Sequence, residues 1–299
     1  MKKPQELGRL ITAMVTPFQE DGMVDYEQAK RLAMALLASG SDGLVVVGST
    51  GESSTVTWEE EHRLFKEIKS VVGDRGAVIA GTGANSTEEA RENTVKAEEW
   101  GVDACLLVVP YYNKPTQEGL YRHFKTIAES TKLPCILYNV PSRTVTNLSA
   151  ETVIRLSEIP NIIGVKEASG NMEQVAQIIH GARENFVVWS GNDSDTLPMM
   201  AIGAYGVISV ASHLVGRQIK DMIEYFIARE TAKAAAIHRH LMPIFKDLFV
   251  VSNPIPIKFA LNHLGFRVGG YRLPLTEPDK KSADIVIDTL GKYKIDLPI

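Results

Sequence analysis

Cysteine is scarce: only Cys105 and Cys135 occur in 299 residues, each inside an apolar run. A disulfide-stapled fold is thereby excluded, and two buried free thiols are expected. A long apolar run is missing too, since no stretch approaches the roughly 20 residues that a membrane-crossing helix needs. Met1 to Leu10 carries two lysines but no apolar core of a secretory signal, so a cytoplasmic location is expected. Positive charge is not in excess: 32 Lys and Arg stand against 36 Asp and Glu, with no basic block interleaved with aromatics. Nucleic acid and membrane are therefore not expected partners.

Phosphate-binding and metal-binding patterns are absent as well. Gly48-Ser49-Thr50-Gly51-Glu52 is not followed by the Lys-Ser/Thr of a Walker loop, and Gly81-Thr82-Gly83 lacks the third glycine of a dinucleotide fingerprint. His238 and His240 form the sole His-x-His, in a stretch with helical spacing where residues two apart face different ways. His62, His123, His180 and His263 also fall in helical stretches, which leaves His213, after the last apolar run, as the one histidine placed to approach a site.

What the chain does contain is a repeated alternation. Short apolar runs begin near Leu10, Leu44, Val78, Leu106, Ile136, Ile162, Val187 and Val207, each followed by a polar or Gly-rich stretch and then a segment with helical spacing. Runs such as Leu44–Val47 and Leu106–Val109 are continuous and rich in β-branched residues, as strands of a parallel sheet covered on both faces require. Eight such units predict a (β/α)8 TIM barrel. Capping boxes are expected at Thr57/Glu60, Ser86/Glu89 and Asn171/Gln174. After about Gly216 only helical spacing continues, so the catalytic barrel is assigned to residues 1–229 and a C-terminal helical subdomain to 230–299. Asn253 to Lys258, with its prolines, is read as a turn between helices.

In such barrels chemistry gathers at strand C-termini. Lys166 ends the run Ile162-Ile163-Gly164-Val165, and simple alternation puts Ile162, Gly164 and Lys166 on one face, with Gly164 leaving room beside the lysine stem. A neutral lysine amine attacks carbonyls, but at an ordinary pKa of ~10.4 only about one in a few thousand is neutral at pH 7. Burial at a strand end can lower that pKa, whereas an isolated lysine more commonly snorkels to water. Tyr138 ends the preceding strand and can shuttle protons, or can simply sit at the core edge. Arg143 lies in the loop beyond it, where a guanidinium can grip a carboxylate. Ser49 and Thr50 offer two hydroxyls at another strand end.

Together, Gly48 to Glu52, Tyr111-Tyr112-Asn113, Tyr138 to Arg143, Gly164 to Glu167, Asn253 to Leu261 and Tyr271 to Pro274 resemble the dihydrodipicolinate synthase and N-acetylneuraminate lyase superfamily along essentially the whole chain. The resemblance implies a lyase in which Lys166 forms a Schiff base with pyruvate. Thr50 and Tyr138 would move protons, with Tyr112 from a neighbouring subunit linked to Thr50 through Ser49. Thr50 would also bind substrate, Arg143 would bind the carboxylate of aspartate 4-semialdehyde, and Gly191 and Ile208 would line the pyruvate pocket. The product would be the cyclic precursor of diaminopimelate and lysine, made without a metal or organic cofactor by a homo-oligomer, tetramer or dimer. Val145 stands where the family often has glycine. A 2-keto-3-deoxy sugar acid or N-acetylneuraminate-type pyruvate aldolase is the alternative, and Arg143 favours the synthase; a binding barrel without turnover is disfavoured by Lys166, Tyr138, Thr50 and Tyr112 occurring together. Ser53, Trp58, Glu61, Asn85, Glu89 and Tyr111 match the family's cleft for lysine as inhibitor. Ordinary helix chemistry accounts equally well for Trp58, Glu61 and Glu89.

Overall fold

The computed structural model describes residues 2–298. Eight parallel strands close into a barrel in chain order. They are β1 (Leu10–Ala13), β2 (Gly43–Val46), β3 (Ala77–Gly81), β4 (Ala104–Val108), β5 (Cys135–Asn139), β6 (Ile162–Glu167), β7 (Val187–Ser190) and β8 (Gly206–Ser209). Each starts within two residues of the apolar run that predicted it. The runs are continuous because both strand faces are buried: in β2, Leu44 and Val46 pack outward against the helices, while Val45 joins Ile11, Ile79, Leu106, Ile136 and Trp189 in the barrel interior.

The alternation in β6 departs from the simple expectation. Pairing with β5 slips between Cys135, opposite Ile162, and Ile136, opposite Gly164. The extra residue, Ile163, belongs to the interior cluster, whereas Ile162 packs outward. A bulge of this kind changes the phase of a strand, so Gly164 and Lys166 share a face that Ile162 does not. The space left by Gly164 is not kept for the lysine stem either, because a Cβ there would stand 2.7 Å from Cζ3 of Trp189. Glycine admits the buried indole, whose Nε1 donates to the carbonyl of Gly8 at 3.1 Å.

The helix caps also differ in detail. Thr57 and Glu60 form a reciprocal capping box at the start of the helix Trp58–Val72. Ser86 and Asn171 accept from the backbone of Glu89 and Gln174, but no reciprocal bond closes either box. The Gln174 amide is drawn instead to Glu167 Oε2 at 3.1 Å, a stronger partner because it is a carboxylate.

Beyond the last barrel helix, Ser212–Ile227, come Thr231–Asp247, Ile255–His263 and Lys280–Leu290. The expected turn at Asn253 to Lys258 is therefore mostly the first turn of a helix, where Pro256 leaves no needed N–H unmade. Lys258 on this helix is wholly buried and donates to Glu52 Oε1 at 2.7 Å, against the faces of Phe18 and Tyr271. Removing one partner of such a pair typically costs roughly 3–5 kcal/mol, since a buried charge is left uncompensated. The pair thus ties the C-terminal helices firmly to the loop after β2.

His213 does not approach a site. It is buried in the helix Ser212–Ile227, accepting from the Val15 N–H at Nε2 (3.2 Å) and bonding the Val210 carbonyl through Nδ1. Burial lowers its pKa to about 4, and both ring nitrogens are used by backbone. Both cysteines are buried and free. Among the described residues no helix is long and apolar enough to cross a membrane, and no group of three or more His, Cys, Asp or Glu could hold a metal ion.

Candidate active site

Parallel pairing sets Lys166 on β6 directly opposite Tyr138 on β5, and the amine lies 4.2 Å from the centre of the phenol ring. Both are almost fully buried at the C-terminal mouth of the barrel. They line a cleft of about 460 Å³ with Ser49, Thr50, Arg143, Gly191, Asn192, Val210 and Asn253. Five strand ends or the loops after them thus converge on one amine.

Burial controls the electrostatics. Loss of hydration lowers the Lys166 pKa to about 7; the Asp193 carboxylate opposes this and the Arg143 cation assists it. At neutral pH roughly half of such amines are neutral, a gain of about three orders of magnitude over an ordinary lysine. Asp193 is itself buried, and its carboxylate accepts from Ser209 Oγ and from the N–H groups of Val210 and Ala211 at 3.1 and 3.0 Å. Burial pushes the Tyr138 phenol up to about 12, so it stays protonated and available as a donor.

The backbone beneath these residues is held by Glu167, which follows Lys166 and points to the opposite face. Its carboxylate accepts from Asn139 Nδ2 (3.1 and 3.0 Å), the Ser169 N–H (2.7 Å) and Gln174 Nε2. The ends of β5 and β6 are locked together one residue beyond the Lys166–Tyr138 pair.

Arg143 sits on the four-residue helix Pro141–Thr144 and donates through Nη2 to the Asn253 carbonyl at 2.9 Å. Val145 ends that turn at φ 62°, a left-handed conformation that strains a β-branched side chain and suits glycine. Thr50 lies in a single 3₁₀ turn, Ser49–Gly51, and its Oγ1 accepts from Asn253 Nδ2 at 2.9 Å. Asn253 was placed in a connecting turn by sequence reasoning; its Asn-Pro context signals backbone geometry and gives no sign of a side chain in the cleft. Asp193 and Val210 were missed as well.

Two expected residues stand apart. Ile208 is buried in the interior cluster with Tyr138, and the cleft wall at the end of β8 is Val210. Tyr112 is 89% exposed at φ 75° and does not line the cleft within its own chain. Its neighbour Tyr111 lines an adjoining hollow with Ser53, Arg143 and Asn253.

Two carboxylates, Glu61 and Glu89, act on Tyr111. Glu61 is pushed up to about 8 by burial and then by the Glu89 charge, and the same two carboxylates raise Tyr111 after burial does. Asn85 precedes the helix Thr87–Glu99 rather than lying on it, and donates to the Tyr111 carbonyl at 3.2 Å. Trp58 packs edge-on against His62 at 5.2 Å and under the Lys96 ammonium at 4.8 Å.

The model of the dihydrodipicolinate synthetase family matches residues 6–292. The chain belongs to that family. It is 74% identical over 295 residues to 4-hydroxy-tetrahydrodipicolinate synthase of Dehalococcoides mccartyi, covering 99% of each. A crystal structure of the family's enzyme from Cyanidioschyzon merolae with lysine bound matches at TM-score 0.95 and 48% identity, over 97% of this chain and 99% of that one. The chloride-inhibited enzyme from Acinetobacter baumannii, complexed with pyruvate, matches at TM-score 0.93 and 42% identity, over 96% and 98%.

The lowered Lys166 pKa gives a pH prediction. Only the neutral amine adds to a carbonyl, so imine formation with a small keto acid should accelerate as pH rises through about 7 and then level off. Stopped-flow rates from pH 5.5 to 9.5 check this, and a midpoint near the ordinary lysine value of ~10.4 would contradict it.

Proposed function

We propose that the chain catalyses the condensation of pyruvate with L-aspartate 4-semialdehyde to 4-hydroxy-tetrahydrodipicolinate. The observation that carries this reading is the buried Lys166 amine, neutralised by its surroundings and set 4.2 Å from the Tyr138 ring, in a cleft whose outer part holds Arg143. Neutral Lys166 attacks the pyruvate keto carbon, and the carbinolamine loses water to give an imine. Loss of a methyl proton then gives an enamine, whose carbon attacks the aldehyde and leaves a hydroxyl there. The amino group of the semialdehyde finally attacks the imine carbon, closing the ring and expelling Lys166 as a free amine.

Tyr138 and Thr50 serve the proton transfers at these steps, with Ser49 linking Thr50 to Tyr112 of a second copy of the chain. The exposed, left-handed Tyr112 suits that role, because a large aromatic held out in solvent gains by burial against a neighbour. A homo-oligomer, dimer or tetramer, follows from this. Residues 1–229 act as the catalytic barrel and 230–299 as a subdomain that braces its mouth. Gly191 borders the pyruvate site, where a Cβ would meet Ala168 Cβ at 2.6 Å, and Ile208 supports it from below.

The substrate assignment is tested by turnover of pyruvate with a panel of aldehydes. Aspartate 4-semialdehyde should be preferred over neutral sugar aldehydes, and Arg143→Ala should lower kcat/KM for it by at least about tenfold, the effect of ~1.4 kcal/mol. Preference for a neutral sugar aldehyde, or an unchanged Arg143→Ala, would overturn the assignment.

Lysine, as inhibitor, binds at Glu61, Glu89, Asn85, Tyr111, Ser53 and Trp58, with carboxylates taking its ammonium groups and aromatic faces its stem. Glu61 is largely protonated at neutral pH and must ionise to pair with an ammonium. Inhibition should therefore strengthen between about pH 6.5 and 8.5, as Glu61 loses its proton, and weaken in Glu61→Gln. Initial rates against added lysine decide this; flat activity up to about millimolar lysine, a range typical of weak effector binding, would remove the regulatory role.

A further inference from the structure

We propose that Glu167 is a positioning residue for the second substrate: through Asn139 it pins both ends of the loop that carries Arg143. The inference rests on the function proposed above, in which Arg143 takes the carboxylate of the aldehyde. The loop joins the end of β5 to the helix Ala150–Ser157, and Arg143 stands in it on the short helix Pro141–Thr144, exposed and bonded outside the loop to the Asn253 carbonyl. Asn139, fully buried at the first end of the loop, reaches the second. Its Oδ1 accepts from the Leu148 N–H at 2.9 Å, and its Nδ2 donates to Asn147 Oδ1 at 2.8 Å. One side chain thus closes the loop at its base, as a compact surface loop requires.

The backbone fixes the direction of these bonds. An N–H can only donate, so Leu148 sets the oxygen of the Asn139 amide, and the amide nitrogen must face Asn147 and the Glu167 carboxylate, 3.0 Å from Oε2. Asn147 then gives Nδ2 to Gln174 Oε1 at 2.8 Å, and Gln174 gives Nε2 to Glu167 Oε2 at 3.1 Å. The Ser169 N–H adds another donor at 2.7 Å. Every group that meets residue 167 is therefore a donor, a demand that a carboxylate meets because it only accepts. An amide at 167 would set donors face to face. Turning Gln174 and Asn147 over to relieve this would pass the conflict on to Asn139, which Leu148 holds in place. Glu167 and Asn139 are both buried, so solvent does not relieve it either.

Two variants of the full chain test this. Glu167→Gln removes the acceptor, and Asn147→Ala cuts the same network at its exposed outer end, where folding is least at risk. Each should lower kcat/KM for aspartate 4-semialdehyde about tenfold or more, the scale on which a slightly misplaced binding group is felt. Imine formation with pyruvate should stay within about twofold of wild type, with its pH midpoint unmoved, because Lys166 is not the group displaced. In an Arg143→Ala background either change should cost less than about twofold, since the guanidinium it places is gone. Amide hydrogen exchange reads the loop without either substrate: the Leu148 N–H should exchange about tenfold faster in Glu167→Gln. Wild-type kcat/KM in either variant, a loss that falls equally on imine formation, losses that multiply with Arg143→Ala, or unchanged exchange at Leu148 would overturn the role. If the wild-type protein does not condense the two substrates, the reading of function fails, and the exchange result still decides whether Glu167 holds the loop.

Discussion

A lysine amine held out of water at the end of a strand is the constraint around which the rest of this molecule is arranged. Lys166 belongs to the barrel interior, where hydration is lost, and its charge is opposed more strongly by desolvation than it is favoured by the Asp193 carboxylate. That balance leaves the amine nucleophilic near neutral pH. The same burial keeps the Tyr138 phenol protonated, so one physical cause leaves a partly neutral amine on β6 beside a protonated phenol on β5.

Such a site needs a rigid frame, because desolvation acts only while water is kept out. Glu167 supplies part of it by gathering Asn139, Ser169 and Gln174 just past the reactive pair. The C-terminal helices supply another part from across the barrel mouth. The Lys258–Glu52 pair joins positions 206 residues apart, and Asn253 reaches both Thr50 and Arg143. Chain that contributes no strand to the barrel thus shapes its opening.

The barrel and the Lys166–Tyr138 pair were legible from the chain because both follow from local pattern: β-branched runs mark strands, and polar residues at their ends mark the mouth. The bulge in β6 was not, since it arises from pairing with β5 and leaves no mark within Ile162–Glu167 itself. The role of Gly164 was misjudged for a related reason, as the indole that fills its space comes from β7. His213 was drawn toward the site by its position after β8, but the chain turns into helix there and gives both ring nitrogens to backbone. Asn253 and Lys258 were hidden by distance along the sequence. Their prolines spoke for a turn, and nothing local revealed that their side chains cross to the loop after β2.

The central claim is a covalent bond between Lys166 and pyruvate, and reduction tests it most directly. Borohydride added with pyruvate, followed by peptide mass mapping, should find the reduced adduct on Lys166 and none in Lys166→Ala, which should be inactive. An unmodified Lys166 under these conditions, or full activity in Lys166→Ala, would contradict the account.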